Sequence, residues 1–115
     1  MPTASITTNV RRVNGASVID ITGEVNAAAD DALSAAFNEA SQGGVKVIVM
    51  NFTDLVYMNS SGIGVLVTLL IRAQRNKQKL NAYGLSDHYK QIFALTRLNE
   101  AIGICDSEAE AIAAV

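Results

Sequence analysis

The order of hydrophobic and polar positions predicts an alternation of strands and helices. Two short β-prone segments flank Asn14-Gly15, a pair that favours a type I′ hairpin turn because both residues tolerate positive φ. Further along, VKVIVMNF is almost continuously apolar and β-branched, which is typical of a strand covered on both faces. We therefore expect the first two strands to be antiparallel neighbours and VKVIVMNF to be the central strand.

Helical periodicity marks the segments between the strands. In AAADDALSAAFNEASQ, Asn26 is placed to cap a helix that the following Gly-Gly pair ends, and a second helix is predicted from about Ser61 to Asn76. KLNAYGL and IGIC then predict strands, a third helix begins near Ser86, and SEAEAIAAV predicts a fourth. A hairpin followed by this alternation predicts an α/β fold with a mixed sheet, whose later strands are parallel and joined by right-handed crossovers.

Composition narrows the class of protein. With 115 residues, 50% of them hydrophobic and 17% charged, the chain predicts one folded domain over residues 1–115. No apolar run reaches the ~18 residues that span a bilayer, and the first residues lack a signal-peptide layout, so we expect a cytoplasmic protein without membrane contact. The single cysteine excludes an internal disulfide and disfavours a zinc cluster, and no cofactor is expected.

The stretch YMNSSGIGVL joins the central strand to the second helix. It follows the carboxyl end of a strand, where open α/β sheets place their sites, and the first N–H groups of a helix favour an anion. Ser60 and Ser61 stand at this helix end. Two mechanisms fit: the hydroxyls and glycine amides cradle a ligand's phosphate, or a serine is itself phosphorylated. Gly62 and Gly64 suit either mechanism because they let another backbone approach closely.

A helical projection of the second helix separates two faces. The arc predicted to face the sheet holds Ile63, Leu66, Val67, Leu70 and Ala73. The opposite side holds Ser61, Gly64, Thr68, Arg72 and Arg75, with Val65 and Leu69 on its shoulder. Scattered exposed apolar residues need no function, but beside two serines Val65 and Leu69 also suit the centre of a protein-binding surface with arginine at its rim. In that case Val65→Asp should impair docking without unfolding the domain.

The sequence resembles the STAS-domain anti-sigma factor antagonists over nearly the whole chain. The resemblance rests on the hairpin, on TGEVN and on VIVMNFTDLVYMNSSGIGVL. The family pattern at the central site is D-L-x-x-[MI]-D-S-S-G-[LI]-G, which this chain matches at Asp54, Leu55, Met58, Ser60, Ser61, Gly62, Ile63 and Gly64. The resemblance implies the STAS fold, in which about four helices pack mainly on one side of the sheet.

The resemblance also implies a non-catalytic regulator that acts by competitive binding. Its unphosphorylated form would bind an anti-sigma factor, a serine kinase with a GHKL-type ATP fold, and so release a sigma factor. The kinase would phosphorylate Ser60, and a PP2C-type phosphatase would reverse the modification. In this family the loop TGEVN borders the docking surface, and we expect a monomer or weak dimer. The expected partner-binding residues are Glu24, Asn26, Asn59, Ser60, Ser61, Gly62, Gly64, Val65, Thr68, Leu69 and Arg72.

Two positions depart from the family pattern. The family commonly carries Asp where this chain has Asn59 and Asn26, and both changes remove negative charge. The family fold implies that these two loops lie close together. A phosphate on Ser60 would then meet less repulsion from its own domain, and docking would lose any charge complementarity that the carboxylates supplied.

Other functions fit the residues less well. A serine hydrolase of the nucleophile-elbow type requires G-x-S-x-G, which NSSGIG lacks, and GIG belongs to neither a dinucleotide fingerprint nor a P-loop. Nucleic acid is disfavoured as a partner by the net charge of −2 and by the lack of aromatic residues near the basic residues 72–79. A STAS module of a larger signalling assembly, or a regulator that binds a small ligand or anion without a phosphorylation switch, stays open.

Overall fold

The computed structural model describes residues 5–113 and confirms the predicted order of strands and helices. The elements are β1 Ile6–Val13, β2 Ala16–Val25, α1 Asp30–Ala40, β3 Val47–Met58, α2 Ser60–Arg75, β4 Lys79–Tyr83, α3 Asp87–Leu95, β5 Gly103–Cys105 and α4 Glu108–Ile112. Short 3-10 helices are formed by Ala27–Ala29, Gln42–Gly44 and Leu98–Glu100. The last two residues of the predicted fourth helix lie outside the described range.

The five strands form one mixed sheet in the order β1-β2-β3-β4-β5. β1 and β2 pair antiparallel through a turn in which Asn14 has φ 50° and Gly15 has φ 84°, as the Asn-Gly pair predicts. The remaining neighbours pair in parallel. The carboxyl ends of β2, β3 and β4 therefore meet at one edge of the sheet, where the predicted site lies.

Side-chain alternation along the central strands divides the core between the two faces of the sheet. Ile48 and Met50 of β3 point into the larger cluster, which the helices α1, α2 and α3 cover. Val47 and Val49 point to the other face, where they pack with Ala111 of α4. β3 is thus buried on both faces over its first half, and the helices lie mainly on one side, as predicted.

β3 is longer than the sequence indicates. The apolar run that predicts this strand ends at Phe52, but residues 53–58 continue the strand as far as Met58. They pair with β2 across two register shifts, and the last pair joins Val25 to Met58. Backbone pairing with β2 therefore extends β3 past Phe52, and the serine pair follows the strand directly after Asn59.

A group of charged and polar side chains holds α4 against the sheet; we call Arg11, Asp20, Tyr83 and Glu108 the α4 network. Arg11 lies 2.7 Å from Asp20 and 2.6 Å from Glu108, and the Tyr83 hydroxyl donates to Glu108 at 2.7 Å. The hydrogen bond from Arg11 lowers the pKa of Asp20 to about 2 and also lowers the pKa of Glu108. Burial, with the adjacent Glu108, raises the pKa of Tyr83 to about 12.

Candidate docking site

The predicted serine pair stands exposed at the first turn of α2. Asn59 is the N-cap: its backbone is extended, and its side-chain oxygen accepts a hydrogen bond from the Gly62 N–H at 2.9 Å. Ser60 and Ser61 follow as the first two helical residues, and both are exposed. The Asn59 side chain satisfies the Gly62 N–H, so this capping bond uses neither serine. Both serines lie at the surface.

The loop after β2 lies directly beside this helix start. The Asn59 N–H donates to the Val25 carbonyl at 3.2 Å. Asn26 caps the 3-10 helix Ala27–Ala29, which leads into α1, by accepting from the Ala28 N–H at 2.9 Å. The closeness of the two loops, which the resemblance implied, is therefore present in the structure. Asn59 and Asn26 use their side-chain oxygens as helix caps, a role that needs an acceptor but no charge.

The two glycines of the first turn have different roles. A Cβ on Gly62 would lie 2.0 Å from the Val25 carbonyl oxygen, so this position requires glycine for the close approach of α2 to the loop. The backbone that approaches is the chain's own, and Gly62 is buried. A Cβ on Gly64 would meet no atom within 4 Å. Gly64 therefore lies at the surface as predicted. Gly62 is instead buried where α2 packs against the loop after β2.

The predicted exposed positions of Val65 and Leu69 are wrong. Val65 is 8% exposed and Leu69 is 0% exposed, and both belong to the main core. The projection took the sheet as the only surface against which α2 packs, but α1 also lies against this helix. The buried stripe is therefore turned towards α1, and neither residue is available to a partner unless the domain opens.

Arg72 also differs from its predicted place at the rim. Its guanidinium lies 5.0 Å from the centre of the Phe37 ring and donates to the side-chain oxygen of Asn38. Arg72 therefore joins α2 to α1, and its half-buried side chain is engaged within the domain. Thr68 is exposed as predicted, although its hydroxyl donates to the Gly64 carbonyl at 3.2 Å.

The sequence interpretation missed two apolar residues at the end of β3. Val56 is 71% exposed and Tyr57 is 52% exposed. Tyr57 pairs with Glu24. On either side of it in β3, Leu55 packs against the main core and Met58 belongs to it, so Tyr57 points to the opposite face. Alternation of side chains along β3 beyond Phe52 could have predicted that Tyr57 is exposed. The two register shifts between β2 and β3 interrupt that alternation, so the sequence pattern does not reveal it.

The start of α3 completes the surroundings of the site. The Tyr89 hydroxyl accepts a hydrogen bond from the Met58 N–H at 2.9 Å, which fixes α3 beside the end of β3. The adjacent Asp87 and His88 are exposed. Within residues 5–113, no group of three or more His, Cys, Asp or Glu side chains is arranged to hold a metal ion. In the same part of the chain, no helix is both long and apolar enough to cross a membrane.

Comparison with known proteins identifies the family to which this fold belongs. The STAS domain family model matches residues 7–111, and the chain therefore belongs to this family. It is 33% identical over 64 residues to the anti-sigma-B factor antagonist of Listeria monocytogenes, which covers 56% of this chain and 56% of the Listeria protein. The match thus spans little more than half the length of that relative.

Two solved structures share the fold over almost the whole chain. An anti-sigma factor antagonist from Mycobacterium paratuberculosis is 21% identical, with a TM-score of 0.81 over 96% of this chain and 94% of that one. The phosphorylated form of the Bacillus cell fate determinant SpoIIAA is 25% identical, with a TM-score of 0.70 over 92% and 96% of the two chains. The first likeness shows the fold alone.

Proposed function

We propose that this protein is an anti-sigma factor antagonist that binds an anti-sigma factor kinase and releases a sigma factor. The observation that carries the proposal is the exposed Ser60 at the start of α2 in a STAS domain whose relatives are named antagonists. The kinase would have a GHKL-type ATP fold. This chain would supply the binding surface and the phosphate acceptor, and the kinase would supply the catalytic groups.

Phosphorylation of Ser60 would end the association. A phosphate adds about 1.5 to 2 negative charges at pH 7, and the first turn of a helix tolerates them because its N–H groups carry partial positive charge. No refolding of this domain is required. A phosphate within the docking surface would have to lose its hydration before the partner could pack against it, and that cost opposes binding. A PP2C-type phosphatase would restore the binding form.

The two neutral caps beside the start of α2 support this switch. Asn26 and Asn59 both act as caps through side-chain oxygens, so neither brings a carboxylate to the modified hydroxyl. The phosphate would therefore meet no negative charge from these two residues. The solved phosphorylated form of SpoIIAA shares this fold, which supports a phosphorylation that leaves the domain folded.

The proposal is tested with the anti-sigma factor kinases of the source organism, purified one at a time. Each is incubated with this protein, ATP and Mg²⁺, and the product is read by intact mass and peptide mapping. We expect one phosphate on Ser60, none in Ser60→Ala, and unchanged transfer in Ser61→Ala, the matched neighbour. The unphosphorylated protein and Ser60→Ala should bind the kinase, and the phosphorylated protein should not.

Two results would contradict parts of the proposal. Binding without phosphate transfer would indicate a STAS module that takes part in an assembly without a switch. Phosphate transfer to Ser61→Ala and to Ser60→Ala alike would remove Ser60 from the mechanism. If no kinase of the organism binds at all, the assignment as an antagonist of such kinases fails.

A further inference from the structure

The charges of this chain are separated along the direction of the parallel strands. We define the carboxyl edge as segments 24–31, 54–64 and 84–89, where β2, β3 and β4 end. These segments contain carboxylates but neither Lys nor Arg; the carboxylates are Glu24, Asp30, Asp31, Asp54 and Asp87. Basic residues collect at the opposite end of the strands, at Arg12, Lys46, Arg75, Lys77 and Lys79. The segments of the carboxyl edge, which include Ser60, therefore carry net negative charge, and the far end of the domain is rich in basic residues.

The carboxyl edge also carries exposed apolar surface. Among residues 5–113, four large apolar side chains are exposed, and two of them, Val56 and Tyr57, lie at this edge. They are adjacent in sequence and come just before the serine pair. An apolar centre that includes an aromatic residue, surrounded by polar groups, is the composition of a protein-binding surface.

We propose that docking at this edge is centred on Val56 and Tyr57 and that the partner presents an apolar recess surrounded by Lys and Arg. This inference rests on the proposed function and specifies the surface of its partner. Asp54, Glu24 and Asp87 would form the rim on this chain. The choice of a basic partner follows from charge complementarity, since the segments of the carboxyl edge contain no Lys or Arg, and Lys90, which follows them on α3, pairs with Asp106.

A second copy of this chain fits the edge less well than a separate partner. The basic end of the domain offers the right charge through residues such as Lys46 and Lys77. The apolar residues between them are buried, as at Val45 and Leu80. The exposed apolar residues towards that end, Ile71 and Leu95, lie on two separate helices. A copy would therefore supply the basic rim, but its exposed apolar residues would not be gathered into one centre for Tyr57.

The acidic rim is compatible with release by phosphorylation. Charges at the rim of an interface stay partly hydrated and act mainly on the rate of association. Ser60 follows Tyr57 by three positions and begins α2. A partner that covers both the apolar centre and the start of α2 would have to desolvate a phosphate on Ser60. The rim therefore speeds encounter, whereas the centre determines whether the complex persists.

The test measures the affinity and association rate for the kinase that binds in the experiment above, at about 50 and 300 mM NaCl. Tyr57→Thr removes the aromatic ring and places there a β-branched residue, a type that strands favour. Leu95→Thr is its matched control, because Leu95 is exposed on α3 away from the edge. Asp54→Lys reverses a rim charge, and Glu39→Lys makes the same charge change at the far end of α1. Thermal unfolding checks that each variant is folded.

We expect Tyr57→Thr to weaken binding at least about tenfold, and Leu95→Thr to stay within about twofold. Asp54→Lys should slow association and flatten its salt dependence, and Glu39→Lys should change both less. Unchanged binding in Tyr57→Thr and Asp54→Lys, while phosphorylation still abolishes it, would overturn this inference and leave the proposed function standing. Loss of self-association in Asp54→Lys, with kinase affinity unchanged, would overturn it in favour of a second copy. Failure of every kinase to bind would remove both.

Discussion

The α4 network and the carboxyl edge hold polar groups in opposite situations. Arg11, Asp20 and Glu108 lie half-buried in mutual ion pairs, and their pKa values shift because of those pairs. At the carboxyl edge, Ser60 and Asp54 are exposed beside apolar side chains. Shifted pKa values often mark functional sites, but ion pairs that hold a fold together shift them as well. In this protein the shifts mark how α4 is held, and the candidate docking surface is recognised by exposure.

The largest effect is expected where the carboxyl edge rests on the core. Val65→Asp would bury an unpaired carboxylate beneath the first turns of α2 and should reduce the free energy of unfolding by more than about 3 kcal/mol. Thr68→Asp, at an exposed position of the same helix, should change it much less. Urea unfolding followed by circular dichroism measures both. A stable, folded Val65→Asp protein would restore the surface role that the helical projection suggested.

Gly62 and Gly64 separate a buried position of α2 from an exposed one in the same turn. Gly62→Ala forces a Cβ against the Val25 carbonyl and should cost about 2 kcal/mol, because backbone must move to relieve the overlap. Gly64→Ala meets open space and should stabilise α2 by about 0.5–1 kcal/mol through its helix propensity. Denaturant midpoints of the two variants should therefore move in opposite directions. Movement in the same direction would mean that α2 sits differently against the loop.

Local sequence predicts the elements of this fold well because their signals are local. The Asn14-Gly15 turn, the cap at Asn26 and the periodicity of each helix depend on near neighbours, and the structure contains each of them. The exposure of Ser60 follows in the same way from a cap that precedes it.

The parts that the sequence could not predict depend on distant neighbours. The packing of α1 determines which side of α2 is buried, and no local sequence pattern gives the position of α1. The helical projection therefore placed Val65 and Leu69 at the surface, although both are buried. The exposure of Tyr57 depends on register shifts between β2 and β3. The ion pair of the α4 network joins Arg11 to Glu108, 97 positions apart, and nothing in either segment indicates it.

A smaller effect is expected from acid, and it belongs to the α4 network. A carboxyl whose pKa is lower in the folded protein stabilises it above the unfolded pKa, and this contribution is lost as the pH falls through the folded pKa. For Asp20 the loss runs from about pH 4 to about pH 2 and amounts to on the order of 1 kcal/mol after solvent screening. Unfolding free energies of wild type and Asp20→Asn should therefore converge across this window. Asp54→Asn, at the carboxyl edge, is the control, and curves that stay parallel for Asp20→Asn would contradict the role of the network.

The smallest effect on stability should come from the residue with the largest proposed effect on binding. The helix cap is Asn59, so Ser60→Ala removes no capping hydrogen bond, and its free energy of unfolding should stay within about 0.5 kcal/mol of wild type. Thermal and urea unfolding measure this, with Asn59→Ala as the matched change at the cap, which should cost about 1 kcal/mol. A destabilised Ser60→Ala would show that the hydroxyl has a structural role. Loss of binding in Ser60 variants could then result from unfolding rather than from a change at the docking surface. Unchanged stability would let the binding data be interpreted as an effect on docking alone.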